Sequence, residues 1–277
     1  MKTYIRNYPS ISAFARHVES LGDDRQHGAN NSSTSDNGYK WTMGQTLPEA
    51  LEMGLSGGNW EQGARDLQKV DIDTMAHGIA DVIEPAIIHG VTGGALDIGE
   101  YLANNPECWM LLEETEQAKP IVRVGACVVP SASVTAAELM NRGRAIIALV
   151  EALELQQYSV ELVALWCTKH RNDKITYISE TVVKQAGEPW IPSSVAYAFA
   201  HTGFSRRLGF RALESDADCY TITNVGYGRG DIEAPKGYDL YFPYLSDGDR
   251  TATPDMALEY ILSQATKQQP NLIKGAH

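Results

Sequence analysis

Side chains spaced for chemistry fall in four places along this sequence. Ser131 and Ser133 flank Ala132 in a small polar turn, Pro130-Ser131-Ala132-Ser133, between an apolar run and a helical stretch. A hydroxyl there could be a nucleophile, but the turn is not G-x-S-x-G, and sequence alone assigns it no triad partner, His170 and His201 included. The plainer reading makes one serine the N-cap of the following helix. Asp97 and Glu100, after Gly93-Gly94, could be ligands or acid/base groups. Asp97 equally suits the cap of a short helix or turn over 97–102. Cys108 stands beside Glu107, a carboxylate that would raise its thiol pKa and so disfavours thiol catalysis. Arg206, Arg207 and Arg211 form the one dense basic cluster, and on a helix 207 and 211 share a face. Guanidinium forks could grip a phosphate or an acidic partner there, or pair internally with Glu214, Asp216 or Asp218. No glycine stretch makes a phosphate loop, since GxxxxGK[ST] and GxGxxG are both absent.

The elements that must position these groups centre on residues 120–166. Ile121 to Val129 is a β-branched-rich run of buried-strand length. About twenty residues of helical periodicity follow, with Leu139, Ala145, Ile146, Leu149, Val150 and Leu153 able to share a face. Tyr158 to Trp166 is a second apolar run. Two strands joined by such a helix should be parallel, with a right-handed crossover. The expectation is therefore an α/β fold with three layers and a mostly parallel sheet, Rossmann-like in kind. Residues 1–80 read as an N-terminal helical elaboration and 81–277 as the α/β core domain.

Within the first part, 2–5 could be a short strand and 10–21 a helix capped by Ser10 or Ser12. Residues 22–40 are polar and read as a mobile loop. Thr46 with Glu49 fits a capping box, with Pro48 in the first turn. Trp60 then leads one helix through EQGARDLQKVDIDTMAHGI, and Trp41 and Trp60 are expected to pack these helices onto the sheet. Past the centre, 174–183 alternates like an edge or half-buried strand. Residues 220–225 and 238–245 read as strands, and 254–267 as the last helix.

Composition bounds the function class. The net charge is −12, which opposes coating of a nucleic-acid backbone and leaves room only for a local basic groove. The four cysteines are far apart without a CxxC pair, so they are expected to be reduced and structural, in a reducing compartment. No run approaches the length of a membrane span, and MKTYIRNYPSISAF lacks an apolar signal core. A cytoplasmic protein is expected, in a host cell if the chain is phage-encoded.

The order of strand, serine turn, helix, strand, strand, helix, strand, strand, helix resembles the von Willebrand factor A-type domain. That resemblance implies a metal site at an Asp-x-Ser-x-Ser signature and a role as a docking module, sometimes for AAA-type ATPases. Ser131 and Ser133 stand at the two serine places, but Val129 stands at the aspartate place. No cofactor is therefore expected, since two hydroxyls hold a divalent cation such as magnesium poorly. Across about residues 41–245 the chain is also similar to proteins of bacteriophages and plasmids, through TLPEALEMGLSGGNWEQGA, VTGGALDIGEYLANNPECW, PSASVTAAELMNRGRAIIALVEALE and SRRLGFRALE. That implies a mobile-element origin. The leading functional expectation is a non-catalytic protein-interaction or assembly factor with a protein partner. The alternatives are a nucleic-acid-associated accessory factor of phage transcription or replication, using Arg206, Arg207 and Arg211, and a hydrolase of unrecognised site.

Overall fold

A parallel strand–helix–strand unit forms the centre of the sheet. The computed structural model describes residues 2–35, 42–69, 71–80, 83, 89–91, 94–110, 119–170, 174–227, 230, 232–246, 249–270 and 272. In chain order the strands are β1 (Lys2–Tyr8), β2 (His89–Gly90), β3 (Ala95–Leu96), β4 (Trp109–Met110), β5 (Ile121–Cys127), β6 (Ser159–His170), β7 (Ile175–Lys184) and β8 (Leu240–Phe242). The α-helices are α1 (Ile11–Ser20), α2 (Leu47–Leu55), α3 (Glu61–Leu67), α4 (Ile72–Ala80), α5 (Ile98–Leu102), α6 (Ala136–Leu155), α7 (Pro192–Ala200), α8 (Phe210–Ser215) and α9 (Pro254–Gln268). The main sheet has the order β1-β7-β6-β5-β8. β5 runs parallel to both β6 and β8, and β1 parallel to β7; only β6 and β7 are antiparallel. The fold is thus α/β with a mostly parallel sheet.

Alternation along the strands sorts two apolar sets, one to each face. Val122, Val124 and Ala126 of β5, with Val160, Leu162, Ala164 and Trp166 of β6, join the large core beneath the helices. Cys127, Val163, Leu165 and Cys167 face the other way, where Ile232, Tyr238 and Tyr244 pack over them. Irregular chain, sheet and helices make three layers. α6 packs against α4, α7 and α9 as well as β6, so from Leu139 to Leu153 it is buried nearly all round rather than on one stripe.

α6 begins later than a serine cap requires. Pro130 bridges Leu245 in parallel and Ser131 N donates to Leu245 O, so the chain stays extended past β5. Thr135 is the cap, with Glu138 closing a capping box, an arrangement worth about 1 kcal/mol. Neither serine has a Glu or Gln three residues on. The box at Thr46 and Glu49 forms as the spacing predicts.

Three element readings change. The stretch led by Trp60 is two helices, because Asp71 accepts from Thr74 N and restarts the chain at α4. β7 lies inside the sheet, since β1 pairs along it from Lys2 to Tyr8. Residues 220–225 form a 3-10 helix: Asp216 O takes Tyr220 N, Cys219 O takes Ile222 N, and local turns replace a ladder. Trp60 packs edge-on to the His201 ring, 4.6 Å away, while Trp41 lies outside the described residues.

Candidate functional site: the Asp97 helix and its apolar face

The serine turn lies at the carboxyl end of β5, where ligands gather in open α/β sheets. Its two hydroxyls are 3.0 Å apart and bond to each other. The backbone beneath is held by arginines. Arg206 donates to Ser131 O at 3.2 Å. Arg142, buried in α6, donates to Cys127 O at 2.6 Å, Pro243 O at 2.8 Å and Phe242 O at 3.2 Å, tying the ends of β5 and β8 together. The turn itself offers only hydroxyls, with Val129 and Pro130 before it, and no group of three or more His, Cys, Asp or Glu among the described residues could hold an ion. This donor set does not fit a hard divalent cation.

The arginine cluster is internal. Phe204–Gly209 forms a π-helical turn leading into α8, and a widened turn frees carbonyls, one of which, Ser205 O, takes Trp166 Nε1–H at 2.7 Å. Arg206, Arg207 and Arg211 are all buried. Arg207 donates to Gln45 O and Ser33 O, both at 2.8 Å, and also to Ser32 O and Ser35 O. Arg211 donates to Gly22 O. Burial pushes the Arg206 pKa down to about 10. Glu214 takes Ser33 N at 2.9 Å, the Ser33 hydroxyl, and the Tyr227 hydroxyl at 2.5 Å. Residues 22–35, expected as part of a mobile loop, are therefore strapped to the π turn and α8 by charge-assisted bonds. Residues 36–40 lie outside the described residues.

Asp97 caps α5. Its Oδ1 accepts from Gly99 N at 2.9 Å and Glu100 N at 3.2 Å, and its Oδ2 lies 3.0 Å from His89 Nε2. The His89 bond, then these backbone donors, hold its carboxyl below the usual range. Around it β2, β4 and β3 form a small antiparallel sheet in that order. Glu100 takes Asn105 Nδ2 at 2.8 Å. Gly93 and the acidic residues Glu113, Glu114 and Glu116 lie outside the described residues.

What this small unit presents outward is apolar. Ile98 is 67%, Tyr101 60% and Leu102 77% exposed, and at spacings i, i+3 and i+4 they share one face of α5. Leu96 and Trp109, directly paired across β3 and β4, are exposed as well, as is Val91. Half of the large apolar side chains exposed among the described residues thus fall between 91 and 109. The stretch of sequence that carries them, from Val70 to Ala118, has ten Asp and Glu and neither Lys nor Arg. With ten of the chain's 35 Asp and Glu, that stretch has a net charge of −10 where the whole chain has −12. That gap was readable as a sequence signal, but the exposure of Ile98 and Leu102 was not, because an apolar pattern does not show which face the core covers.

Fold and site together define an α/β protein whose small β2-β4-β3 unit and α5 leave a set of apolar side chains exposed. Residues 1–268 match the family described as a domain of unknown function, DUF7192, and the chain belongs to that family. No curated protein and no solved structure matches it. Among the described residues no helix is long and apolar enough to cross a membrane.

Proposed function

We propose that this protein is a non-catalytic docking or assembly factor whose α5 face receives a basic, amphipathic segment of a partner protein. The apolar triplet Ile98, Tyr101 and Leu102, standing in a zone without a single Lys or Arg, carries the reading. Exposed apolar groups mark interaction sites, and the acidic sign of the stretch of sequence that carries these favours a cationic partner. A phage or plasmid origin, host-cytoplasmic work, a von Willebrand A-like core and an AAA-type ATPase as partner are parts of this proposal that rest on the sequence resemblance. The parallel unit β5–α6–β6 is consistent with such a core. The nucleic-acid reading draws no support from Arg206, Arg207 and Arg211, whose guanidinium groups hold internal carbonyls. A hydrolase reading draws none from Ser131 and Ser133, which bond each other.

The test is affinity capture from infected host cells, with and without nuclease, using wild type and Ile98→Asp/Leu102→Asp. A discrete basic partner that survives nuclease and is lost in the double variant supports the reading. Capture unaffected by the double variant, or dependent on nucleic acid, overturns it.

A further inference from the structure

Two of the four cysteines meet inside the sheet. Cys127 ends β5, and Cys167 stands on the neighbouring strand β6, one same-face position beyond Leu165, the residue that pairs with Cys127. Both side chains lie on the sheet face away from the helices and are fully buried. Their sulfurs are 2.9 Å apart, with the Cys167 S–H donating to Cys127 Sγ. A disulfide bond is about 2.05 Å long, so the two sulfurs stand about 0.9 Å beyond bonding distance. Around them, Cys127 Sγ has Val129 O at 3.9 Å, and Cys167 Sγ has Gly230 O at 3.7 Å and the Tyr241 hydroxyl at 4.0 Å.

Beside Cys127 lies a buried cation without an anion. The hydrogen bonds of Arg142 go to the carbonyls of Cys127, Phe242 and Pro243, its Nε–H has no partner, and it pairs with no carboxylate among the described residues. A guanidinium kept from water and held only by neutral dipoles favours any neighbour able to become an anion. Cys127, whose own carbonyl it grips, can supply a thiolate. Burial opposes ionisation of both thiols, yet the Cys167 S–H bond and the Arg142 charge hold Cys127 below the ordinary thiol value. Burial, and then that same bond, push Cys167 well above it. The pair is therefore asymmetric, one thiol suited to attack and the other to resolve. Its cover is thin: Ile232, Tyr238 and Tyr244, themselves only partly buried, pack over the cluster. Residues 232–235 are neither helix nor strand, and such segments open locally at low cost.

We propose that Cys127 and Cys167 form a site of reversible oxidation, converted by a hydroperoxide from two thiols to a disulfide that joins β5 to β6. The Cys127 thiolate attacks one peroxide oxygen, the O–O bond breaks, and the leaving hydroxide takes a proton to depart as water. Cys127 is then a sulfenic acid. The Cys167 sulfur attacks that sulfur, the S–O bond breaks, and the Cys167 proton leaves with the hydroxide as a second water. Two thiols lose two electrons and two protons, and one peroxide becomes two waters.

Thiol counting and peptide mapping of the full chain test the assignment. The reduced protein, freed of reductant, is exposed to millimolar hydrogen peroxide under native conditions and then alkylated in denaturant. Free thiols should fall from four to two, with a Cys127–Cys167 cross-linked peptide that dithiothreitol returns to thiols. In Cys167→Ala, Cys127 should stop as the sulfenic acid and take dimedone, whereas in Cys127→Ala, Cys167 should take none. The wild-type map needs no substitution, so a variant that fails to fold leaves the test intact. The same bond should form in Ile98→Asp/Leu102→Asp, so this site stands or falls apart from the docking face. Four thiols remaining after peroxide, oxidation of one cysteine without the bond, a bond that includes Cys108 or Cys219, or dimedone on Cys167 in Cys127→Ala overturns it.

Discussion

Acidification should cost this protein stability at one identifiable side chain, His201. The residue ends α7 with its ring between the Trp60 edge and the Tyr197 ring, 4.6 Å and 5.5 Å away. It is 8% exposed, and burial lowers its pKa from 6.5 to about 4. The unfolded chain therefore takes up the proton first as pH falls. The stabilising contribution is fully present above about pH 6.5 and is lost progressively down to about 4. The size of the shift makes the loss about 2 kcal/mol between pH 7 and pH 5, and about 3 kcal/mol by pH 4. Urea unfolding at pH 7 and pH 5 would measure it. Other groups titrate over the same interval, so the comparison is with His201→Asn, whose side-chain oxygen can still take Gly203 N–H. Wild type should lose about 2 kcal/mol more than the variant across that interval. Parallel pH slopes for the two proteins would refute the assignment of a buried neutral imidazole.

Further outcomes follow from the packing. Arg142→Met removes the donors for three carbonyls at the ends of β5 and β8, and should cost about 3 kcal/mol or more in urea unfolding. Gly209→Ala drives a Cβ into the Trp166 indole and should cost about 2 kcal/mol. Gly143→Ala, in the middle of α6 with its nearest neighbour at 3.7 Å, should leave the melting temperature unchanged or raise it, by up to about 1 kcal/mol of stability. The reverse order for the two glycines would contradict the packing described.

The centre of the fold was legible because its signals agree at every level. Ile121 to Cys127 and Ser159 to His170 are strands by composition and length, and a helix between them leaves only a parallel pairing. Caps were legible at Thr46, where the reciprocal glutamate was weighed, and at Ser10, but misplaced at Ser131, where Thr135 four residues on has the reciprocal glutamate. Residues 220–225 show the limit of local propensity: a β-branched run becomes a 3-10 helix where local turns take its backbone groups. Arg206, Arg207 and Arg211 show another limit. A basic cluster in sequence looks the same whether it faces a ligand or, as here, the carbonyls of a distant strap. The candidate face was half legible. Asp97 was recognised as a cap or ligand, yet its surroundings matter through what α5 leaves uncovered, and only tertiary structure shows that.

The most direct test of the docking account is site-specific photo-crosslinking in cells that express the protein, with the crosslinker placed at Leu102 and, as a control, at exposed Ile191. The account predicts crosslinks to one protein from position 102 and none from 191, with the attached peptide rich in Lys or Arg and the yield falling as salt rises. Equal labelling from both positions, no labelling from 102, or an acidic attached peptide would contradict it.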